Sequence, residues 1–222
     1  MAESKDKLIV GYWGIQGRAH PTRFLLAYHK VDFEDKQYSD PQEWFGTEKP
    51  ALNSDFPNLP YIKDGDTVVT ETYAVLQYAA WKTGNKDLFG KTDDDAVKIT
   101  QLASFTSDIG MAVYFLAANK EYEKVRDEVL NEKIAPLLTK LSKNLGEKEF
   151  SLGYLTWADF LVFTQVDLIR RMNPEFLAKW PNLEKYWERI NSNEGIQAYR
   201  KSEKYPKLFI SPDFVTWTGE EK

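Results

Sequence analysis

Cysteine is absent from the 222 residues. That excludes disulfides, thiolate-held metals and any mechanism in which the protein supplies the thiol nucleophile. Histidine occurs only at His20 and His29, too few for a multi-histidine metal site or a relay of imidazoles. No metal is therefore expected. Apolar runs of about 18 residues are lacking, so no membrane span is expected. Residues 1–7 are polar and charged, unlike the apolar core of a secretion signal. Positive charge is not in excess: 29 Lys and Arg face 34 Asp and Glu, a net charge of -5. This leaves no electrostatic footprint for nucleic acid or anionic lipid. What is present is ordinary globular material, 42 % hydrophobic and 28 % charged. It is enough for one large domain or two small ones. A cytoplasmic location is expected, and an enzymatic nucleophile would have to arrive with a cosubstrate.

The first eighty or so residues mix strand and helix signals. Residues 8–13 read as a strand ending in Gly11-Tyr12-Trp13, and residues 18–30 as a helix with Phe24, Leu25 and Tyr28 on one face. Pro21 is tolerable there because the first N–H groups of a helix lack partners. Residues 31–38 begin with strand alternation, Val31 and Phe33 against Asp32 and Glu34, which lapses at Asp35. A strand, helix, strand order implies a parallel pair with a right-handed crossover. Residues 39–60 read as a loop. Asp64-Gly65-Asp66 between two short apolar runs is a hairpin signal, and residues 72–82 then read as a helix ending at Gly84.

From residue 92 onward the chain reads as all helix. Acids at residues 93–95 suit a helix start. Ile99, Leu102, Ile109, Val113 and Leu116 line one side of a helix that carries Phe105, Asp108, Met111 and Phe115 on the other, as expected between two partners. A helix over 121–145 should kink at Pro136. Thr156 and Asp159 form a capping box, with Leu155 and Phe160 at the staple positions. The helix they open is apolar nearly all round and should be buried, ending at Asn173-Pro174. Two more helices are expected at 182–190 and 194–201, before a tail too aromatic for a solvated end (Tyr205, Phe209, Phe214, Trp217). The expected domains are 1–84, a linker at 85–91, and 92–222.

Three segments can carry chemistry. Tyr12 reads either as a packing residue or as a phenol that hydrogen-bonds a sulfur atom, favouring thiolate over thiol. Pro60 is ordinary before a strand; a cis Leu59-Pro60 bond would leave the Leu59 backbone to pair with an extended peptide ligand. Glu71-Thr72 reads either as a simple helix cap or as an anion grip, in which a hydroxyl and unpaired N–H groups hold a ligand carboxylate and Glu71 accepts from its ammonium.

Gly11-Tyr12-Trp13-Gly14-Ile15-Gln16-Gly17 with Ala19-His20, then Asp55-Phe56-Pro57-Asn58-Leu59-Pro60-Tyr61, resemble cytosolic glutathione S-transferases, most closely the mu class. Leu155-Thr156-Trp157-Ala158-Asp159-Phe160 and Ile196-Gln197-Ala198-Tyr199 resemble that family's helical half, so the likeness spans essentially the whole chain. It implies an α/β thioredoxin-like domain (βαβ, then ββα, one mixed sheet) followed by an all-α domain. It implies Tyr12 as the thiolate-stabilising group and reduced glutathione as cosubstrate. Glutathione would be held by Trp13, Trp44, Lys49, Asn58, Leu59, Pro60, Glu71 and Thr72, and by Asp108 reaching the neighbouring subunit's site. Met111 and Tyr114 would face a hydrophobic electrophile. The partner would be a second copy, a homodimer keyed by Phe56. His20 reads as structural.

The match has departures. Gly14, Gln16, Arg18 and Glu71 differ from the common mu pattern. Gly110 and Ala118 stand where bulkier or polar groups shape the electrophile site. The expected activity is conjugation of glutathione thiolate to small hydrophobic electrophiles. The alternatives are a sigma-like, glutathione-dependent prostaglandin isomerase and a non-catalytic glutathione- or ligand-binding protein on the same scaffold.

Overall fold

A computed structural model of the chain describes residues 7–220. The chain divides into two compact units. One holds the described residues through Asn85 together with Glu194–Lys207; the other holds Lys86–Asn193 and the described residues from Leu208 onward.

The first unit is a four-stranded mixed sheet in the order β2-β1-β3-β4. Strand β1 (Ile9–Trp13) leads through a short 3-10 turn into α1 (His20–Tyr28), with Pro21 in the first helical turn. Lys30, at φ 54°, takes a left-handed conformation that ends the helix, and its N–H donates to Ala27 O. β2 (Glu34–Tyr38) then pairs parallel to β1, as the crossover argument requires. The strand starts later than residue 31, because residues 29–33 are spent turning the chain. The segment 39–60 is not all loop. Glu43–Glu48 forms a π-helical turn that runs into a short helix, α2 (Lys49–Ala51). The hairpin is as expected: β3 (Tyr61–Asp64) and β4 (Thr67–Thr70) pair antiparallel with Asp64 opposite Thr67. Gly65 supplies positive φ (58°) at the first turn position, where a two-residue II′ turn needs it. α3 (Thr72–Lys82) closes the motif and packs against α1, β3 and β4, and α9 (Glu194–Arg200) also packs on α1.

The second unit is helical. Thr92 caps α4 (Asp93–Ala118), accepting from the Asp95 N–H. Its Ile99, Leu102, Ile109, Val113 and Leu116 are buried; Met111 and Phe115 on the other side are exposed. The helix expected over 121–145 is three pieces, α5 (Tyr122–Val129), a π turn over Leu130–Ile134, and α6 (Ala135–Leu145). Pro136 has no N–H for the α-helical ladder, and the widened turn sits just ahead of it. α7 (Trp157–Met172) is buried along nearly its whole length and opens with the capping box. Asp159 Oδ2 accepts from both the Thr156 N–H and hydroxyl at 2.7 Å, and Oδ1 accepts from the Ser151 N–H and the Tyr186 hydroxyl at 3.2 and 3.0 Å. α8 (Pro181–Asn191) packs on α6 and α7. In the tail, Trp217 stacks on Tyr122 and both Thr216 and Trp217 donate their N–H to Ala117 O. Phe214 stays exposed.

Candidate active site

A cleft of about 330 Å³ opens in the first unit, where the end of β1, the π turn with α2, and the starts of β3 and α3 converge. Tyr12, Trp13, Trp44, Lys49, Asn58, Leu59, Glu71 and Thr72 line it, joined by Arg18 and Phe45. Pro60 sits buried behind Leu59, and the Leu59-Pro60 bond is cis. Eight of the residues named from the sequence thus share one cavity. Asp108, Met111 and Tyr114 lie on α4 in the second unit. Asp108 and Met111 are exposed and Tyr114 half-buried. Phe56 is 73 % exposed and lies beside a separate surface hollow lined also by Val68 and Val69.

Tyr12 is buried but for its cleft edge. Burial raises its pKa, against the pull of the Arg18 N–H bonded to the phenol oxygen and of the Arg18 and Arg23 charges. The net direction is upward, so the phenol keeps its proton at neutral pH and can donate it. Gly17 makes room for the ring. It has φ 41°, and a Cβ there would lie 2.6 Å from Tyr12 Cε1 and 2.8 Å from the hydroxyl.

Arg23 anchors the loop around Tyr12 from below. Its Nε pairs with Asp35 Oδ1 at 2.9 Å, with both side chains fully buried. Nη1 donates to Ile15 O at 2.6 Å and to Gln16 O at 3.4 Å, and Nη2 to Trp13 O at 3.4 Å. Gln16, a departure from the family pattern, is buried and donates to Pro206 O at 3.0 Å. His20 is buried against Phe24, ring centres 4.0 Å apart, in keeping with a structural role.

Trp44 is packed between two tyrosines, 5.4 Å from Tyr38 and stacked at 6.2 Å on Tyr61. The tyrosine hydroxyls bond each other at 2.9 Å, and Glu48 ties Tyr38 to Lys36. Gly11 is required here, because a Cβ would overlap the Tyr61 ring. Lys49 Nζ lies 5.7 Å over the Phe45 ring, leaving a cation at this wall. At the opposite chemical pole is Glu71, at the N-terminal end of α3 with φ 72° and ψ 132°. Non-glycine residues rarely adopt such angles, and strain of this kind gathers at ligand clamps. Asn58 Nδ2 donates to Glu71 Oε1 at 2.9 Å, and Asn58 Oδ1 accepts the Leu59 N–H at 2.9 Å. Among the described residues no group of three His, Asp or Glu side chains is placed to hold a metal ion.

Sequence reasoning missed Arg18, Phe45 and Arg23. The signal for Arg23 was present: an arginine amid the apolar residues of α1, and an aspartate where the β2 alternation fails.

A family model described as the N-terminal domain of glutathione S-transferase matches residues 9–80, and one for the C-terminal domain matches residues 105–203. Human glutathione S-transferase Mu 1 is 35 % identical over 218 residues, covering 95 % of this chain and 98 % of that protein. The chain belongs to the glutathione S-transferase family. Glutathione S-transferase from Dermatophagoides pteronyssinus is 34 % identical, over 92 % of this family member and 94 % of that chain. Among solved structures, the glutathione S-transferase Blo t 8 superposes with a TM-score of 0.81 at 25 % identity, over 95 % and 99 % of the two chains. Rat hPGDS complexed with a quinoline superposes at 0.74 and 24 % identity, over 92 % and 100 %, a likeness of fold. The thioredoxin-like first half and helical second half are those of a glutathione S-transferase, and its relatives over most of the chain include several of the mu class.

Proposed function

We propose that this family member conjugates glutathione thiolate to small hydrophobic electrophiles, with Tyr12 donating a hydrogen bond to the sulfur. The observation that carries the reading is the Tyr12 phenol at the wall of a cleft whose other walls offer cations and a carboxylate. A donor aimed at sulfur stabilises the thiolate relative to the thiol and so lowers the thiol pKa. The cosubstrate supplies the nucleophile that a cysteine-free chain lacks. Glutathione is acidic at its glycyl end, which Lys49 suits, with Trp13 and Trp44 as the flanking walls. Its γ-glutamyl end carries an ammonium and a carboxylate. Glu71 accepts from the first, and the Thr72 hydroxyl and helix N-terminus receive the second.

The finer assignments are proposals of the same kind. Met111 and Tyr114 face the electrophile, and Asp108 reaches the glutathione site of a second copy. Phe56, exposed in the single chain, keys into that copy in a twofold dimer. A cytoplasmic location is part of the same proposal; no helix among the described residues is long and apolar enough to cross a membrane.

Conjugation of an aryl halide, measured across pH for wild type and Tyr12→Phe, tests the reading. Loss of the donor should reduce turnover about 100-fold at neutral pH and shift the thiol pKa of bound glutathione upward. Equal turnover in the two proteins removes Tyr12 from this role. Glutathione binding without turnover in the wild type would favour a ligand-binding protein. Product analysis with an endoperoxide substrate separates conjugation from isomerisation.

A further inference from the structure

The segment over residues 43–51 supplies Trp44, Phe45 and Lys49 to the cleft wall, yet it belongs to no strand. Ring packing holds Trp44 against the sheet. Among the described residues, the polar side-chain ties of this segment to the sheet all pass through Glu48. One carboxylate oxygen pairs with Lys36 Nζ at 2.8 Å, and the other accepts the Tyr38 hydroxyl at 3.3 Å. Lys36 and Tyr38 are alternate residues of β2, so they share one face of the strand and present a cation and a donor together. A phenol has a single proton. With the Tyr38 proton given to Glu48, the 2.9 Å contact between the phenols is a bond from Tyr61 to Tyr38. A relay therefore runs from β3 through β2 to the turn. Lys49, next in the chain, lies over the Phe45 ring and pairs with no carboxylate among the described residues.

We propose that Glu48 is a positioning residue for the glycyl end of the ligand. Held by Lys36 and Tyr38, it fixes the turn that aims Lys49. The ion pair to Lys36 also keeps this carboxylate from taking up the charge of its neighbour, which stays open to an anion. The proposal rests on the reading of the cleft as a glutathione site. Glu48 is not among the residues that line the cleft, so its effect reaches the ligand through Trp44 and Lys49. The pair is partly open to water and adds little to global stability; what it sets is local.

Charge alone and positioning predict opposite signs for one substitution. If only charge counted, removing a carboxylate beside an anion-binding lysine would tighten glutathione binding. Titration calorimetry should instead show Glu48→Ala binding glutathione about fivefold more weakly than wild type, the worth of one charged hydrogen bond partly open to water. γ-Glutamylcysteine, which lacks the glycyl unit, should bind both proteins alike. In conjugation assays KM for glutathione should rise by the same factor, with kcat and the thiol pKa of bound glutathione unchanged. Lys36→Met strips the carboxylate of its cation and should reproduce the pattern even if Glu48→Ala does not fold; wild-type binding by Lys36→Met counts against the role. Unchanged or tighter glutathione binding by Glu48→Ala, or an equal loss for both ligands, overturns the positioning role and leaves the glutathione reading intact. A wild type that binds no glutathione overturns both.

Discussion

Replacing Arg23 by methionine tests the support beneath the candidate site. Methionine keeps most of the aliphatic stem that lies in the core, but it removes every donor. Three loop carbonyls, those of Trp13, Ile15 and Gln16, lose their bond to the guanidinium, and Asp35 loses its cationic partner while the Gln37 amide at 2.8 Å stays. Since both side chains of the pair are fully buried, the carboxylate would be stranded in low dielectric. Breaking a buried pair on one side costs about 3–5 kcal/mol. For a chain of this size that is a fall of about 6–20 °C in melting temperature. The Arg23 charge also helps to hold the Tyr12 pKa down, so the phenol should titrate higher in the variant. Thermal and urea unfolding of Arg23→Met, Asp35→Leu and the double variant give the coupling. The double variant should be more stable than the summed single losses by about 1–3 kcal/mol. A single-variant loss below about 1 kcal/mol, or strict additivity, would refute the buried pair as the loop's anchor.

Three further outcomes are expected. Gly17→Ala forces a side chain into positive φ and against the Tyr12 ring, costing about 2–4 kcal/mol; its conjugation rate should fall as well, and an unchanged rate in a folded variant counts against the placement of Tyr12. Asp159→Ala leaves the Thr156 N–H and hydroxyl and the Ser151 N–H without their acceptor in the core, while the Tyr186 hydroxyl keeps the residue-159 carbonyl at 2.8 Å; a loss of about 3–5 kcal/mol is expected by urea unfolding. Burial lowers the His29 pKa, so its contribution to stability is fully present above the unfolded value of about 6.5. That contribution is lost as pH falls below this value through the folded pKa. His29→Gln should flatten that part of a stability-against-pH curve, and an unaltered curve would contradict the shift.

The parts of the fold that were legible from sequence are those with local chemical signals. The Asp-Gly turn set the β3–β4 register, the acids at residues 93–95 and the Thr156 capping box marked helix starts, and the apolar run after Thr156 announced a buried helix. The helical turn over residues 43–51 was invisible, because Gly46 and Pro50 spoil any periodic pattern. It is Trp44, wedged between Tyr38 and Tyr61, that holds this segment, and those rings come from two other strands. Residue 35 shows a different limit. The lapse in strand alternation weakened the reading of β2, yet it marks the partner of a buried arginine. Two local irregularities, Arg23 in an apolar helix face and Asp35 in a half-buried strand, explain each other only once β1, β2 and α1 are stacked. In the cleft, Arg18 stood out only as a departure from a pattern; its part comes from a backbone N–H, which no side-chain signature announces.

The indole of Trp44 lies against two phenols whose oxygens are bonded to each other, and it still forms part of the cavity wall. Tyrosines at such separations pass their excitation to the indole, whose emission responds to what borders it. Filling the cavity would therefore change the surroundings of this indole, one of seven in the chain, without a dye, a coupled reaction or any change to the chain.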